Sequence, residues 1–220
     1  MKHSLFILLL FILNSSLFYG QKNLVPENYK ILDEINGDLD TDGVHEKVIV
    51  YDMTTTEIDN EGIDREIVIF KKDSLNNWII WQRSVKATGN SREGGMMGDP
   101  YEGIEIKKGV LVISESGGSS WKWGHTDKYR FQNNSFELIG YSSHYGRICD
   151  YWGAFDFTIS TQKIVFKKEF EKCEGDDDQT IYKTQNETFR YKLTEKILLQ
   201  NRKEIEVKIT TPKYKEEIYL

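Results

Sequence analysis

The sequence is poor in proline and cysteine, and beyond its first residues it has no long apolar run. Only three prolines are present, and no low-complexity linker divides the chain, so we expect a single domain. No segment after Leu13 approaches the roughly 20 apolar residues that a membrane helix needs, so we predict no membrane span. The formal net charge of -6 is spread over alternating signs without a basic stripe, which argues against nucleic acid as a partner.

The first residues have the pattern of a secretory signal. Met1-Lys2-His3 forms a basic tip, an apolar run extends over Leu5–Leu13, and small and polar residues follow. We predict a signal peptide over residues 1–20, cleaved before Gln21, and a mature domain over residues 21–220. No cysteine lies near this cleavage position to carry a lipid anchor. We therefore expect an exported protein that is periplasmic or extracellular.

Cys149 and Cys173 are the two cysteines of the chain. In the oxidising compartment that export implies, they are expected to pair and to close a loop of about 25 residues. The alternative is two unrelated free thiols, and the residues themselves leave it open.

Alternation of apolar and polar residues with a period of two dominates after residue 28, whereas the helical period of 3.6 is scarce. Between the alternating segments lie turn residues that tolerate positive φ, namely Lys107-Lys108-Gly109, Asn76-Asn77 and Asn133-Asn134. The predicted strands are rich in β-branched or aromatic residues and comprise Lys47–Tyr51, Glu66–Phe70, Ile104–Ile106, Val110–Ser114, Lys128–Phe131, Phe136–Tyr141, Ile164–Phe166, Phe189–Leu193 and Ile205–Ile209.

These features predict an all-β fold, mainly an antiparallel meander that forms a sandwich or a partial propeller-like sheet. At most one or two short helices are expected, with Glu195–Asn201 as a candidate. The acidic stretch Glu174–Gln179 is predicted to be a solvated loop.

The most specific motif is the loop 37–46, which reads Gly-Asp-Leu-Asp-Thr-Asp-Gly-Val-His-Glu. Counted from Asp38, carboxylates stand at positions one, three, five and nine, and Gly43 permits a sharp turn. A hard divalent cation would remove the repulsion between these carboxylates. We predict one structural calcium ion, since magnesium demands a stricter geometry. The predicted metal ligands are Asp38, Asp40, Asp42, the backbone carbonyl of Val44, and Glu46.

The loop differs from an EF-hand, because position twelve is Ile49 instead of glutamate. The apolar segment Lys47–Tyr51 follows it, so we expect the loop to join two strands. It resembles the calcium loops of the FG-GAP repeats in integrin α-chain propellers and related exported bacterial proteins, which implies coordination by positions one, three, five, seven and nine. The loop has no second copy, although a propeller needs several blades. The alternative is an Asp-rich turn held by local hydrogen bonds.

Two glycine-containing segments flank one predicted hairpin. Gly94–Ile104 reads Gly-Gly-Met-Met-Gly-Asp-Pro-Tyr-Glu-Gly-Ile, and Ser116–Trp123 reads Ser-Gly-Gly-Ser-Ser-Trp-Lys-Trp. Together they resemble a signature of exported bacterial proteins of unknown function, in which a Gly-Gly-x-x-Gly-Asp-Pro-aromatic-Glu-Gly segment precedes a Gly-Gly-Ser-x-Trp-basic-Trp segment. This resemblance implies that related exported proteins exist, but it implies no activity for the chain.

Trp121 and Trp123 are two residues apart on a predicted strand and therefore face the same side. They belong either to the core or to an aromatic face that binds a sugar ring or a partner loop. Tyr101 is a further predicted member of this ligand face, and Tyr145 is a predicted neighbour.

The residues offer little evidence for catalysis. Asp99, Glu102 and Glu115 could form a carboxylate pair of the glycosidase type, but a chain with 35 acidic residues offers many such pairs. His125 and His144 could act as bases or metal ligands, yet they lack a partner at a diagnostic spacing.

The leading hypothesis is a non-catalytic exported β domain, stabilised by calcium, that binds a protein or a glycan at the cell envelope. One alternative is a hydrolase acting on envelope polymers. Another is a secreted inhibitor or immunity protein.

Overall fold

A computed structural model describes residues 24–54, 61–174 and 178–220 of the chain. The predicted signal peptide over residues 1–20 and the centre of the predicted loop Glu174–Gln179 lie outside the described residues. In the described part of the chain, no helix combines the length and the hydropathy that crossing a membrane requires.

The prediction of an all-β fold is confirmed. Two antiparallel sheets and a small hairpin dominate the described residues, and in both sheets strands that follow one another in sequence are neighbours. The first sheet, in spatial order, consists of β1 (Tyr29–Gly37), β2 (Glu46–Met53), β3 (Arg65–Lys72) and β4 (Trp78–Ser84). The second consists of β5 (Tyr101–Lys107), β6 (Val110–Gly118), β7 (Lys122–Gln132), β8 (Ser135–Arg147), β9 (Tyr151–Thr158), β10 (Lys163–Glu174) and β11 (Asp178–Arg190). The small hairpin consists of β12 (Lys208–Thr210) and β13 (Glu217–Tyr219).

The hairpin turns have the backbone conformation that their residues predict. Asn76, Asn133 and Asn134 have φ values of 64°, 52° and 61°. Lys108 and Gly109 between β5 and β6 have φ values of 52° and 73°. Because two consecutive residues with positive φ match the twist of an antiparallel pair, the β5–β6 and β7–β8 turns set the register of their hairpins, whereas in the β3–β4 turn only Asn76 has positive φ.

The sequence-based strand assignment omits β1, β4 and β9, and its segments Phe189–Leu193 and Ile205–Ile209 share only two residues each with β11 and β12. Strands β1 and β4 form the two edges of the first sheet, and most of their side chains are exposed or only partly buried. Such strands lack the regular alternation of a half-buried strand. In β9 the buried alternation is limited to Phe155 and Phe157.

The prediction of a short helix at Glu195–Asn201 is wrong. Residues 196–198 are extended beside β8 and a turn follows; the Leu138 amide donates to the Ile197 carbonyl at 2.8 Å, and the Leu199 amide donates to the Phe136 carbonyl at 3.0 Å. Ile197 and Leu199 are both buried. Because alternate residues must face the core here, an extended backbone buries more apolar surface than one helical turn would.

The main hydrophobic core lies between the two sheets. It contains Val48, Val50, Ile67 and Ile69 from the first sheet. From the second sheet and the loops it contains Leu39, Ala87, Ile104, Leu111, Ile113, Tyr129, Phe136, Leu138, Ile197 and Leu199. The two sheets therefore form a sandwich, one of the arrangements that the sequence predicts. A second cluster lies between the far half of the larger sheet and the C-terminal hairpin, and it contains Tyr141, Phe155, Phe157, Ile164, Ile209 and Leu220.

Cys149 and Cys173 form a disulfide bond. Cys149 lies in the turn between β8 and β9, and Cys173 lies near the end of β10, with the two Cα atoms 5.2 Å apart. The bond therefore joins the β8–β9 turn to the next strand of the same sheet.

Candidate functional site

The Asp-rich loop connects β1 to β2, as the sequence predicts. Gly37 pairs with Glu46 at its base, so the loop closes an antiparallel hairpin. Asp38, Asp40 and Asp42 each offer a carboxylate oxygen, and these oxygens all lie within 4.8 Å of one another. The spacing that the sequence shows therefore brings three of the predicted ligands together.

Local hydrogen bonds use only part of the oxygen atoms in this cluster. The Gly43 amide donates to Asp38 Oδ2 at 3.0 Å, and the Val44 amide donates to Asp42 Oδ1 at 2.7 Å. The other oxygen of Asp38, Oδ1, is buried and has no hydrogen-bond partner. A buried carboxylate oxygen without a partner is costly, and a cation beside it would remove that cost.

The electrostatics of the loop also fit a cation. Partial burial and the neighbouring charges of Asp42 and Asp38 raise the pKa of Asp40 above its ordinary value. Burial, together with the charges of Asp40 and Asp42, likewise raises the pKa of Glu46. Burial first and the neighbouring carboxylates second thus disfavour the ionised forms of these two residues, and a divalent ion with oxygen ligands would offset both effects. Carboxylate oxygens are ligands that would suit a hard cation.

The other two predicted ligands are placed differently. Glu46 is buried, and its Oε2 accepts a hydrogen bond from the Leu39 amide at 2.7 Å, so it closes the base of the loop. It lies outside the group of three aspartates. Val44 lies in the exposed part of the loop.

The loop is anchored to both sheets. Leu39, between two of the aspartates, is 1% exposed and belongs to the core shared by the sheets. A Cβ added to Gly109 in the β5–β6 turn would lie 3.0 Å from Thr41 Cγ2, and one added to Gly37 would lie 2.8 Å from Ile106 Cγ2. An ion in the loop would therefore stabilise the place where the first sheet meets the edge of the second.

A second candidate site is an open groove of about 440 Å³ between the second sheet and the C-terminal hairpin. We call it the aromatic groove. Strands β7 to β10 form one wall and the hairpin segment 216–219 forms the other. The side chains that define its character are Trp123, His125, Tyr141, Ser143, Tyr145, Tyr151, Lys168 and Glu216.

Trp121 and Trp123 both lie beside Tyr145 of this groove. The rings of Trp121 and Tyr145 are stacked, with centroids 5.2 Å apart and planes 8° apart, and Trp123 is the cross-strand partner of Tyr145. Tyr151 contacts Trp121 at 5.1 Å between centroids. Tyr145 remains 46% exposed, so its ring is accessible from solvent.

Tyr101 is placed elsewhere. Its hydroxyl donates to Asp33 at 2.9 Å, and its ring lies under the Arg65 guanidinium against the main core. Burial and the adjacent Asp33 carboxylate raise its pKa well above the ordinary range. The structure therefore groups Trp121 and Trp123 with Tyr145 and Tyr151, not with Tyr101.

An ion pair holds the two walls of the aromatic groove together. Lys168 of β10 donates to both carboxylate oxygens of Glu216 at 2.9 Å, and its Nζ lies 4.0 Å from the centroid of the Tyr151 ring. The groove thus combines aromatic surfaces with charged hydrogen-bonding groups in one concavity, as small-ligand sites do.

Ionisable side chains form pairs behind the groove, and their spacing in the sequence does not predict these pairs. His125 Nε2 lies 3.3 Å from Glu115 Oε2, because β6 and β7 place these residues opposite each other. Glu115 also accepts a hydrogen bond from the Gly89 amide. Asp127, next on the same face, pairs with Arg202 Nε at 2.6 Å and accepts a hydrogen bond from the Tyr129 hydroxyl at 2.9 Å.

The two glycine-containing segments meet each other. The Gly118 amide donates to the Gly94 carbonyl at 2.8 Å. A Cβ added to Gly117 would lie 2.6 Å from the Trp123 ring and 2.7 Å from the Gly94 carbonyl oxygen. Asp99 is bound by Arg65, whose guanidinium is buried. These segments therefore support the base of Trp123 by close backbone packing.

Comparison of the chain with protein-family models, with curated proteins and with solved structures finds no match. The geometry of the loop and of the aromatic groove is therefore the basis for a functional proposal.

Proposed function

We propose that this chain is an exported β domain that binds a glycan in the aromatic groove and is stabilised by calcium in the Asp-rich loop. The observation that carries the proposal is the accessible ring of Tyr145, supported from behind by the stacked ring of Trp121. Sugar rings present apolar C–H faces and a rim of hydroxyl groups. An aromatic surface beside charged hydrogen-bonding groups complements both features.

The groove has the dimensions and polar groups for one or two sugar rings. Its volume of about 440 Å³ lies in the range of small-ligand sites. Lys168, Glu216 and His125 line it, and they offer donors and acceptors to hydroxyl groups. Of the two partner classes that the sequence leaves open, this combination favours a glycan over a protein.

Calcium is proposed as a structural ion held by Asp38, Asp40 and Asp42, in the manner of an FG-GAP-like loop. Support comes from the buried oxygen of Asp38 without a partner and from the mutual repulsion of the carboxylates. Export is proposed from the apolar N-terminal run and from the disulfide, since such bonds persist in oxidising compartments.

The glycan proposal is tested by screening the purified protein against an array of neutral and uronic-acid oligosaccharides, followed by calorimetry on the best binder. Replacing Tyr145 with alanine is expected to weaken binding about tenfold, because the ring supplies the stacking surface. The melting temperature of this variant should change little, since Tyr145 is 46% exposed and lies outside both hydrophobic cores.

The matched control is Tyr182→Ala. Tyr182 is 55% exposed on β11 and lies outside the groove. Binding should survive this change. An array without any binder, or a Tyr145→Ala variant that binds as well as the unaltered protein, contradicts the proposal.

A further inference from the structure

Three side chains that carry nucleophilic or proton-transfer chemistry form a row across the second sheet. The strand register places Glu115 of β6 opposite His125 of β7, and His125 opposite Ser143 of β8. Directly paired residues in antiparallel strands have Cβ atoms about 5 Å apart on one face of the sheet. The register therefore places a hydroxyl, an imidazole and a carboxylate in that order on one face of the sheet, with the imidazole in the middle.

The carboxylate of this row is buried and the other two groups face the aromatic groove. Glu115 has 7% of its side chain exposed, whereas His125 has 24% exposed. His125 and Ser143 line the groove, while Glu115 lies behind His125. Because Nε2 of the imidazole faces Glu115, a tautomer with its proton on that nitrogen leaves Nδ1 to accept a proton.

Neighbouring groups restrict the position of the imidazole. Its ring lies between those of Trp123 and Tyr141, with centroid distances of 5.8 and 6.0 Å. The Gly89 amide donates to Glu115, so the carboxylate that faces His125 is itself held in place. A nucleophile, a base and a group that orients the base are the parts of an acyl-transfer site, which is recognised by the roles and geometry of its residues.

We propose that Ser143, His125 and Glu115 hydrolyse acyl esters, specifically ester substituents on the hydroxyl groups of a glycan held in the aromatic groove. The choice of a glycan ester as substrate rests on the proposed glycan binding. The esterase chemistry rests only on the arrangement of Ser143, His125 and Glu115. Ser143 is the nucleophile and His125 is the general base and acid. Glu115 is a positioning residue, because it acts through His125.

The reaction balances without a further reagent. Ser143 Oγ attacks the acyl carbon while its proton passes to His125 Nδ1, and the ester C–O bond breaks as His125 returns that proton to the departing sugar oxygen. Water then gives a proton to His125 as its oxygen bonds to the acyl carbon. The bond to Ser143 Oγ breaks, and His125 returns the proton to Oγ. The products are a free sugar hydroxyl and a carboxylic acid.

The test treats the intact protein with a biotinylated fluorophosphonate, which reacts with activated serines, and with 4-nitrophenyl acetate. Mass spectrometry should find the label on Ser143, and acetate release should fall at least about tenfold in Ser143→Ala and in His125→Asn. The matched control is Ser142→Ala. Ser142 is the preceding residue on the same strand, but its hydroxyl bonds Asp156 on the opposite face, so labelling should persist.

The positioning role of Glu115 has its own readouts. In Glu115→Gln, kcat for 4-nitrophenyl acetate should fall about tenfold while KM is unchanged, since the substrate does not contact this residue. The imidazole N–H resonance of His125 should also shift upfield in the proton NMR spectrum. A Glu115→Gln variant with unchanged kcat contradicts the positioning role.

Failure of this inference can be separated from failure of glycan binding. If the unaltered, folded protein takes up no fluorophosphonate, or takes it up at another serine, the esterase proposal is overturned even when the array shows binding. Labelling of Ser143 in a protein that binds no oligosaccharide retains the esterase chemistry and overturns its assignment to a glycan. Melting curves of each variant establish that a lost activity is not lost folding.

Discussion

Glu115 is a buried carboxylate that its surroundings keep ionised. Burial by itself raises its pKa, but hydrogen bonds from His125 and from the Gly89 amide, with the electrostatic attraction of His125 and Lys203, outweigh burial. The net pKa of Glu115 therefore lies below its ordinary value of 4.5. An acid whose pKa falls on folding stabilises the folded state above its unfolded pKa, and that stability is lost as the pH falls through the folded pKa.

We predict that acidification below about pH 4.5 lowers the free energy of unfolding. In the Glu115→Gln variant, the free energy of unfolding should fall less steeply with pH in this range. Between the two pKa values the unfolded chain binds a proton that the folded chain does not, so lower pH favours unfolding. Urea denaturation from about pH 6 to about pH 3 measures this slope. Asp99 and Glu137 also have lowered pKa values, so the difference between the unaltered protein and the glutamine variant isolates Glu115. If the free energy of unfolding changed equally with pH in both proteins, the stabilising contribution of ionised Glu115 would be refuted.

The spacing of residues in the sequence predicts some of the side-chain groups in the structure but not others. Asp38, Asp40 and Asp42 are close in sequence and close in space, so their grouping is predictable from the motif alone. His125 and Glu115 lie on different strands, and only the register of β6 against β7 makes them neighbours. The grouping of Trp121 with Tyr145 likewise depends on the pairing of β7 with β8.

At the scale of elements, the disulfide stabilises one corner of the second sheet. It links the β8–β9 turn to β10 and closes a loop that contains β9 and most of β10. In the unfolded chain the same bond restricts this loop, which removes conformational entropy from the unfolded state.

We predict that the double variant Cys149→Ala with Cys173→Ala loses about 3 kcal/mol of unfolding free energy. Guanidinium denaturation of the variant and of the unaltered protein measures the difference. Reduction of the unaltered protein should produce a comparable loss, whereas reductant should not affect the variant. Coincident denaturation midpoints for the oxidised and reduced proteins would contradict a stabilising role.

The elements differ in how well their residues predict them. Strands β2 and β3 bury most of their side chains and β6 buries every second one, so their apolar patterns are recognisable. The edge strands β1 and β4 carry exposed side chains and become strands because a neighbour pairs with them. The extended segment around Ile197 pairs with β8 over only a few residues, which no local pattern predicts.

At the scale of the whole molecule, the Asp-rich loop lies where the two sheets meet. Leu39 inserts into the shared core, and Thr41 packs on the β5–β6 turn. A cation in the loop would therefore stabilise the contact between the sheets as well as the hairpin that carries the loop.

We predict that millimolar calcium raises the melting temperature of the entire domain and that a chelator reverses the effect. A ligand at 100 times its Kd adds about 2.7 kcal/mol to the free energy of unfolding. The shift should vanish in Asp38→Asn, because the buried oxygen without a partner belongs to this residue. Differential scanning calorimetry measures both proteins with calcium and with chelator.

Two controls sharpen the calcium test. Magnesium should produce a smaller shift, since it requires stricter octahedral geometry. Glu195→Gln removes an exposed carboxylate outside the loop and should leave the calcium effect intact. A melting temperature that is indifferent to calcium would eliminate the structural ion.

The sequence by itself determined the properties that depend on near neighbours along the chain. These are the strand character of the central segments, the positive φ of the hairpin turns, and the clustering of three aspartates in one loop. Only the tertiary structure decided which distant residues meet, including the row of Glu115, His125 and Ser143 and the aromatic groove under the C-terminal hairpin. The physical reason is that local propensity acts over a few residues, whereas strand register and sheet packing are set by burial of the whole core.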